Sequence, residues 1–228
     1  MPIPSTAEID FSTDLNISLL DENDRKAIEN RCRIERAGAC CINIMSSPGS
    51  GKTTLLEATL RRLEGTLSLG ILEGDMTTEL DADRLRACGA PVVAITTGRS
   101  CHLEAGQIAR GLDYFDQTGG LSRFDLVVIE NVGNLICPAA YDLGEHKRVV
   151  LLAVTEGEDK PLKYPIMFHG ADCIVVTKTD LAPYVRVRID SLVQNIAQVN
   201  PTATTFSVSA ENGEGMEEWL AWLQSQQA

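Results

Sequence analysis

No run of apolar residues in this chain approaches the ~20 that a membrane-spanning helix requires, and residues 1–10 carry neither a basic block nor an apolar one. The sequence predicts a cytoplasmic protein with no membrane partner. Positive charge is scarce too: 20 Lys and Arg face 32 Asp and Glu, for a net charge of −12. A surface of that sign argues against nucleic acid and anionic lipid, leaving proteins, metal cations and a Mg²⁺-complexed nucleotide as expected partners. Three histidines are too few for bulk metal storage, and the seven cysteines form an odd set with no framework spacing. Thiols used this way fit a reducing compartment, as core residues or as ligands. Internal repeats and low-complexity tracts are also lacking.

What is present is ordinary globular composition, 44% hydrophobic and 23% charged over 228 residues, enough for one α/β domain with a substantial core. Residues 1–20 are polar and unpatterned and read as a mobile arm, and residues 21–228 as a single domain. Beyond Asp21, the residues Ile28, Cys32 and Ile34 among charged neighbours predict an amphipathic helix ending near Gly38. Short apolar runs then alternate with helical patterns. Strands are expected at 40–45, 67–72, 91–95, 124–129, 149–154, 173–176 and 204–208, with helical patterns between and after them. This alternation specifies a doubly wound, mostly parallel α/β sheet preceded by an N-terminal helix, with ligands at the carboxyl ends of the strands.

The organising stretch is Ser46-Ser47-Pro48-Gly49-Ser50-Gly51-Lys52-Thr53-Thr54, set between the first strand and a helix. It reads as a phosphate-binding P-loop, with Ser46 where the first glycine is usual. Backbone N–H groups of Gly49, Ser50, Gly51 and Thr54 would wrap a polyphosphate at the positive end of the helix. Lys52 would reach the β- and γ-phosphates, and the Thr53 hydroxyl would ligate Mg²⁺. Glu130-Asn131-Val132-Gly133 follows the fourth strand, where Glu130 can hold Mg²⁺ through water and Gly133 can sense the γ-phosphate. Asp75 closes the second strand, expected beside the P-loop strand, and is either a carboxylate near Mg²⁺ or the attacking water, or a turn residue.

Thr177-Lys178-Thr179-Asp180 follows the sixth strand. Asp180 can accept two hydrogen bonds from the guanine ring N–H and amine, a donor pair that adenine lacks, and Lys178 can lay its stem over the purine. Thr177 stands where N-K-x-D has asparagine, which predicts loss of a structural hydrogen bond and weaker nucleotide affinity. Ser209-Ala210 follows the last strand, positioned for a backbone N–H to meet the guanine carbonyl. A P-loop kinase for a small metabolite would explain Lys52 and Thr53 but would leave Asp180, Ser209 and Ala210 idle.

Cys101-His102 in a glycine-containing loop, with Cys137 four residues beyond Gly133, is the second informative constellation. Spacing alone leaves two readings open: a site for one transition metal, or small buried cysteines and a hydrogen-bonded histidine.

The P-loop stretch, Glu73-Gly74-Asp75, Thr97-Gly98-Arg99-Ser100-Cys101-His102-Leu103, Glu130-Asn131-Val132-Gly133-Asn134-Leu135-Ile136-Cys137-Pro138 and Glu156-Gly157-Glu158-Asp159-Lys160-Pro161-Leu162-Lys163-Tyr164-Pro165 together resemble HypB, the hydrogenase nickel-incorporation GTPase family. The resemblance covers roughly residues 20–225. It implies a SIMIBI-class GTPase, using GTP/GDP and Mg²⁺, that forms a homodimer in the GTP state. Such a protein works with a HypA-like nickel chaperone and serves the large subunit of [NiFe]-hydrogenase. It also implies that Cys101, His102 and Cys137 form a Ni²⁺ or Zn²⁺ site at the dimer interface, and that Lys52, Asp75 and Glu130 serve catalysis. Some family members carry an N-terminal cysteine or histidine tract that binds nickel; residues 1–20 here hold neither residue type, so a second tight site is not expected. The urease chaperone UreG and the cobalamin chaperone GTPases are the related alternatives. UreG carries Cys-Pro-His, whereas this chain has Cys-His and a separate Cys-Pro.

Overall fold

The computed structural model describes the backbone of residues 11–227 and the side chains from Leu20 onward. Residues 1–10, half of the stretch read as an arm, lie outside the described residues. Helix α1 spans Phe11–Arg36, starting ten residues before the position the apolar pattern suggested. Its inward stripe differs from the expected one. Ile28 is exposed, and the buried residues are Asn23, Ala27, Asn30 and Ile34, at the i, i+4, i+7 and i+11 spacing of one helix face. Two of them are polar because each amide finds partners. Asn23 donates to Asp142 O at 2.8 Å and accepts from Ala105 N at 2.9 Å, while Asn30 donates to Ala105 O at 2.9 Å and Leu143 O at 3.1 Å. Satisfied amides are tolerated in a core that an apolar count would not find.

Seven strands follow: β1 (Cys40–Ser46), β2 (Leu69–Asp75), β3 (Val92–Thr96), β4 (Leu126–Glu130), β5 (Lys147–Ala153), β6 (Cys173–Thr177) and β7 (Thr204–Ser207). They form one sheet in the order β3-β2-β4-β1-β5-β6-β7, every pair parallel. The central strands are buried along their whole length, which is why they read as continuous apolar runs. The order corrects one expectation: β2, which ends at Asp75, lies beside β4, so that β4 separates it from the P-loop strand β1.

Helices α2 (Lys52–Leu63), α3 (Leu80–Ala87) and α8 (Met216–Gln224) contribute Leu55, Leu56, Leu85 and Trp219 to the core on one face of the sheet, against Ile42 and Ile44 of β1. On the opposite face, α1 and α4 (Ala105–Gln117) enclose Cys41 and Ile129, and α6 (Pro165–His169) and α7 (Ile189–Val199) pack beside Met45 and Val150. A four-residue helix, α5 (Lys160–Lys163), precedes α6. Both faces of a parallel sheet are thereby covered, and the loops that leave its carboxyl edge carry the polar residues of the site.

Candidate functional site

β1 runs into the loop 47–51 and then directly into α2. Gly49 and Gly51 have φ of 74° and 92°, the left-handed region in which a β-carbon is unfavourable. Ser46 belongs to β1 and needs no such conformation, so a serine serves where glycine is usual; its hydroxyl lies 3.2 Å from Lys52 Nζ. Ser50 Oγ lies 2.9 Å from Ser47 O and 2.7 Å from Glu156 Oε1. Glu156 also accepts from Ala153 N at 3.0 Å and so braces the loop, a role that only the tertiary contact reveals.

Beside the loop lies a group of carboxylates. Thr53 Oγ1 donates to Glu130 Oε1 at 2.7 Å. Glu130 stands opposite Glu73 in the β2–β4 register, and the two residues are 3% and 2% exposed. Each leaves its Oε2 buried without a hydrogen-bond partner among the described residues. Burial, with Glu130 and Asp75 nearby, pushes the Glu73 carboxyl up to about 8. Burial pushes Glu130 up to about 7, against the pull of Lys52 and Thr53. Glu73 was missed as a site residue, since only the β2–β4 register brings it to Glu130. Asp75 accepts from Thr77 N and Thr78 N, both at 2.8 Å. Partial burial opposes its ionisation, but these donors outweigh burial and hold its pKa below the ordinary value. It therefore closes a turn, two residues along β2 from Glu73.

Gly133 lies against the phosphate loop: a β-carbon there would be 3.0 Å from Pro48 Cα. Next to the loop is a cavity of about 290 Å³ lined by Gly51, Thr54, Thr177, Lys178, Asp180 and Ala210, among others. Thr177 Oγ1 donates to Ser50 O at 2.7 Å, so the threonine does tie this strand end to the phosphate loop, and the expected loss of a structural bond does not occur. Lys178 adopts φ 59° and its Nζ donates to Gly49 O at 2.7 Å. Ser209 is fully buried, and its hydroxyl donates to Asp180 Oδ1 at 2.7 Å. The Ser209 N–H is already taken by Glu214 O at 2.9 Å. Of the Ser-Ala pair, serine thus acts through its side chain on Asp180, and Ala210 borders the cavity.

The second constellation converges as well. Ligand atoms of Cys101, His102 and Cys137 all lie within 4.8 Å of one another. Cys101 Sγ is 3.1 Å from Cys137 Sγ and 4.0 Å from His102 Nδ1. Tyr141 stacks on the imidazole with ring centroids 4.0 Å apart, a support absent from the sequence reading. Burial lowers the His102 pKa despite Glu104 nearby, which favours the neutral ring that a metal requires. All seven cysteines are free thiols. Cys40, Cys41 and Cys173 are core residues as expected, and His146 accepts from Cys41 N at 2.9 Å.

The family described as CobW/HypB/UreG, nucleotide-binding domain, matches residues 40–207. Hydrogenase maturation factor HypB of Azotobacter chroococcum mcd 1 is 50% identical over 208 residues, 91% of this chain and 67% of that protein. The chain belongs to the HypB family. HypB from Helicobacter pylori, solved in complex with nickel, is 40% identical with a TM-score of 0.85, over 91% of this chain and 98% of that one. A more distant likeness shows the fold alone: the signal recognition particle 54 kDa protein of Aeropyrum pernix K1, in complex with GDP, has 17% identity and a TM-score of 0.58, over 83% of this chain and 49% of that one. The nucleotide-binding domain of the matched family thus stands here on a sheet of seven parallel strands. No helix among the described residues is long and apolar enough to cross a membrane.

Proposed function

We propose that this chain is a GTP-hydrolysing nickel metallochaperone for the maturation of [NiFe]-hydrogenase, and that residues 21–228 act as one GTPase domain. One observation carries the reading: a single continuous segment begins at Glu130, bonded to Thr53, and ends at Cys137, 3.1 Å from the Cys101 thiol. A change at the nucleotide can reach a metal ligand along seven residues of chain.

In this reading Lys52 and the N–H groups of the phosphate loop hold the β- and γ-phosphates, and Asp180, steadied by Ser209, accepts from the guanine ring N–H and amine. The Oε2 atoms of Glu73 and Glu130, buried and without a hydrogen-bond partner among the described residues, fit Mg²⁺, which would displace the protons that burial keeps on these carboxyls. Thr53 and Glu130 would hold the ion, with Asp75 and Glu73 beside it. Held there, Mg²⁺ would supply the positive charge that offsets the negative charge developing on phosphoryl transfer. Gly133, pressed on the loop beside Pro48, supplies an N–H to the γ-phosphate and is released after hydrolysis.

Nickel is the cargo. Two thiolates and a neutral imidazole suit Ni²⁺ and equally Zn²⁺, and three ligands from one chain do not close a site. A two-fold interface in the GTP state would bring two such trios together. The homodimer, a HypA-like nickel donor and the hydrogenase large subunit, met in the cytoplasm, complete the proposal. Its test is nickel stoichiometry and affinity with GDP and with a non-hydrolysable GTP analogue, molar mass recorded on each sample, alongside phosphate release from GTP and ATP. Tighter or weaker nickel binding that tracks a change in mass, with hydrolysis confined to GTP, is the expected result. Equal affinity and mass in both nucleotide states would reduce the chain to a GTPase with an incidental metal site.

A further inference from the structure

The loop that bears Cys101 and His102 leaves β3, whereas Cys137 follows β4, and no stretch of chain joins the two directly. They are tied at Asn131, which is 1% exposed. Its Oδ1 accepts from Val132 N at 2.9 Å and from Leu103 N, the residue after His102, at 3.4 Å. Its Nδ2 donates to Asn43 Oδ1 at 3.2 Å, and Asn43 in turn donates to Glu145 Oε1 at 3.4 Å. A buried amide engaged on both sides has little freedom to reorient independently, because every alternative leaves a polar group unpaired. Leu103 is fully buried and presses on the backbone of β2: a β-carbon on Gly74 would lie 2.7–2.9 Å from its side-chain carbons. Gly74 stands between Glu73 and Asp75. The residue next to His102 is therefore gripped by both strands that carry the acids of the nucleotide site.

We propose that Asn131 couples nucleotide state to metal affinity. Val132 N–H and Leu103 N–H share one acceptor atom, so a shift of the 132–133 peptide toward or away from a γ-phosphate changes the hold on Leu103, and Leu103 passes the change to His102. The proposal rests on reading the chain as a nucleotide-gated nickel carrier, and it names the residue through which the gate acts. Asn131 supplies no ligand to either site and is a positioning residue. Because coupling between two bound ligands is reciprocal, nickel must alter nucleotide affinity by the same factor.

The test is the ratio of nickel dissociation constants with GDP and with a non-hydrolysable GTP analogue, for the wild-type chain, Asn131→Ala and Asn131→Ser, with thermal denaturation recorded for each. A wild-type ratio of about 5–150 is expected, of the size usual for coupled sites. In Asn131→Ala it should fall toward one, the reciprocal effect of nickel on analogue binding should fall by the same factor, and nickel affinity without nucleotide should stay within about threefold, since the three ligands remain. A role in folding alone would weaken both ligands and leave the ratio standing. A folded Asn131→Ala that keeps the wild-type ratio overturns the proposal. If that variant does not fold, Asn131→Ser, whose shorter side chain takes the acceptor away from Leu103 N–H while leaving a hydroxyl in the buried polar site, decides in the same way: a full ratio overturns it. A wild-type ratio of one overturns nucleotide gating itself, and the proposal with it.

Discussion

Asp180 can read a base only while its carboxylate is held, and the fully buried Ser209 donates to its Oδ1 at 2.7 Å. Hydrogen bonds to a charged group contribute ~1.5–3 kcal/mol. Asp180→Ala should therefore weaken GDP binding roughly 10- to 150-fold by calorimetry, and any binding of ADP, which lacks the paired donors, should not change. At the other site, Cys137→Ala should lower nickel affinity more than ~100-fold, beyond the ~10–100-fold that loss of a supporting contact causes, without altering GDP binding; full nickel binding by this variant would dismiss the three-ligand site. Thr177 is the residue at which sequence comparison misleads. A motif letter differs, yet the hydroxyl reaches Ser50 O at 2.7 Å, because a short donor on β6 suffices where the loop backbone comes close.

Among the elements, α8 is held by one large side chain. Trp219 is fully buried between α2 and the sheet, and its Nε1 donates to Thr59 Oγ1 at 2.9 Å. Trp219→Ala should destabilise the fold by ~3–5 kcal/mol, the range for deleting a large buried aromatic, measured by urea denaturation. Loss of less than about 1 kcal/mol would mean that α8 contributes little to the core. All seven strands were legible within a few residues, the central ones because a parallel strand covered on both faces is a short apolar run. The inward face of α1 was not legible, since Asn23 and Asn30 are buried on the strength of partners at Ala105, Asp142 and Leu143 that lie far along the chain. Nor was Glu73, a glutamate in an apolar run whose meaning comes from the strand opposite.

For the molecule as a whole, the paired acids set a pH dependence. Glu73 and Glu130, ordinarily near 4.5, hold their protons up to about 8 and about 7 in the folded chain. Across that window the folded state binds more protons than the unfolded one, so these two groups make stability fall as pH rises. Asp75, Asp116 and Asp142 lie below their ordinary 3.8 and act in the opposite sense only at lower pH. Melting temperature measured from about pH 5 to about pH 8 without ligands should therefore decline more in the wild-type chain than in Glu73→Gln. Mg²⁺ with GDP should remove the difference, because the ion takes the place of the protons. Parallel curves for the two chains would show that Glu73 is not the proton holder.

The sequence by itself determined the sheet, the glycine-rich loop after β1, residues that line the cavity beside that loop and the three metal-ligating candidates, because each is encoded in local pattern: apolar runs, glycines required at positive φ, and polar residues just after strands. Tertiary structure alone decided the strand order that separates Asp75 from β1, the pairing of Glu73 with Glu130, the Ser209 hold on Asp180 and the junction at Asn131. Those contacts join residues far apart in sequence. Register and packing select their partners, and no local pattern records that choice.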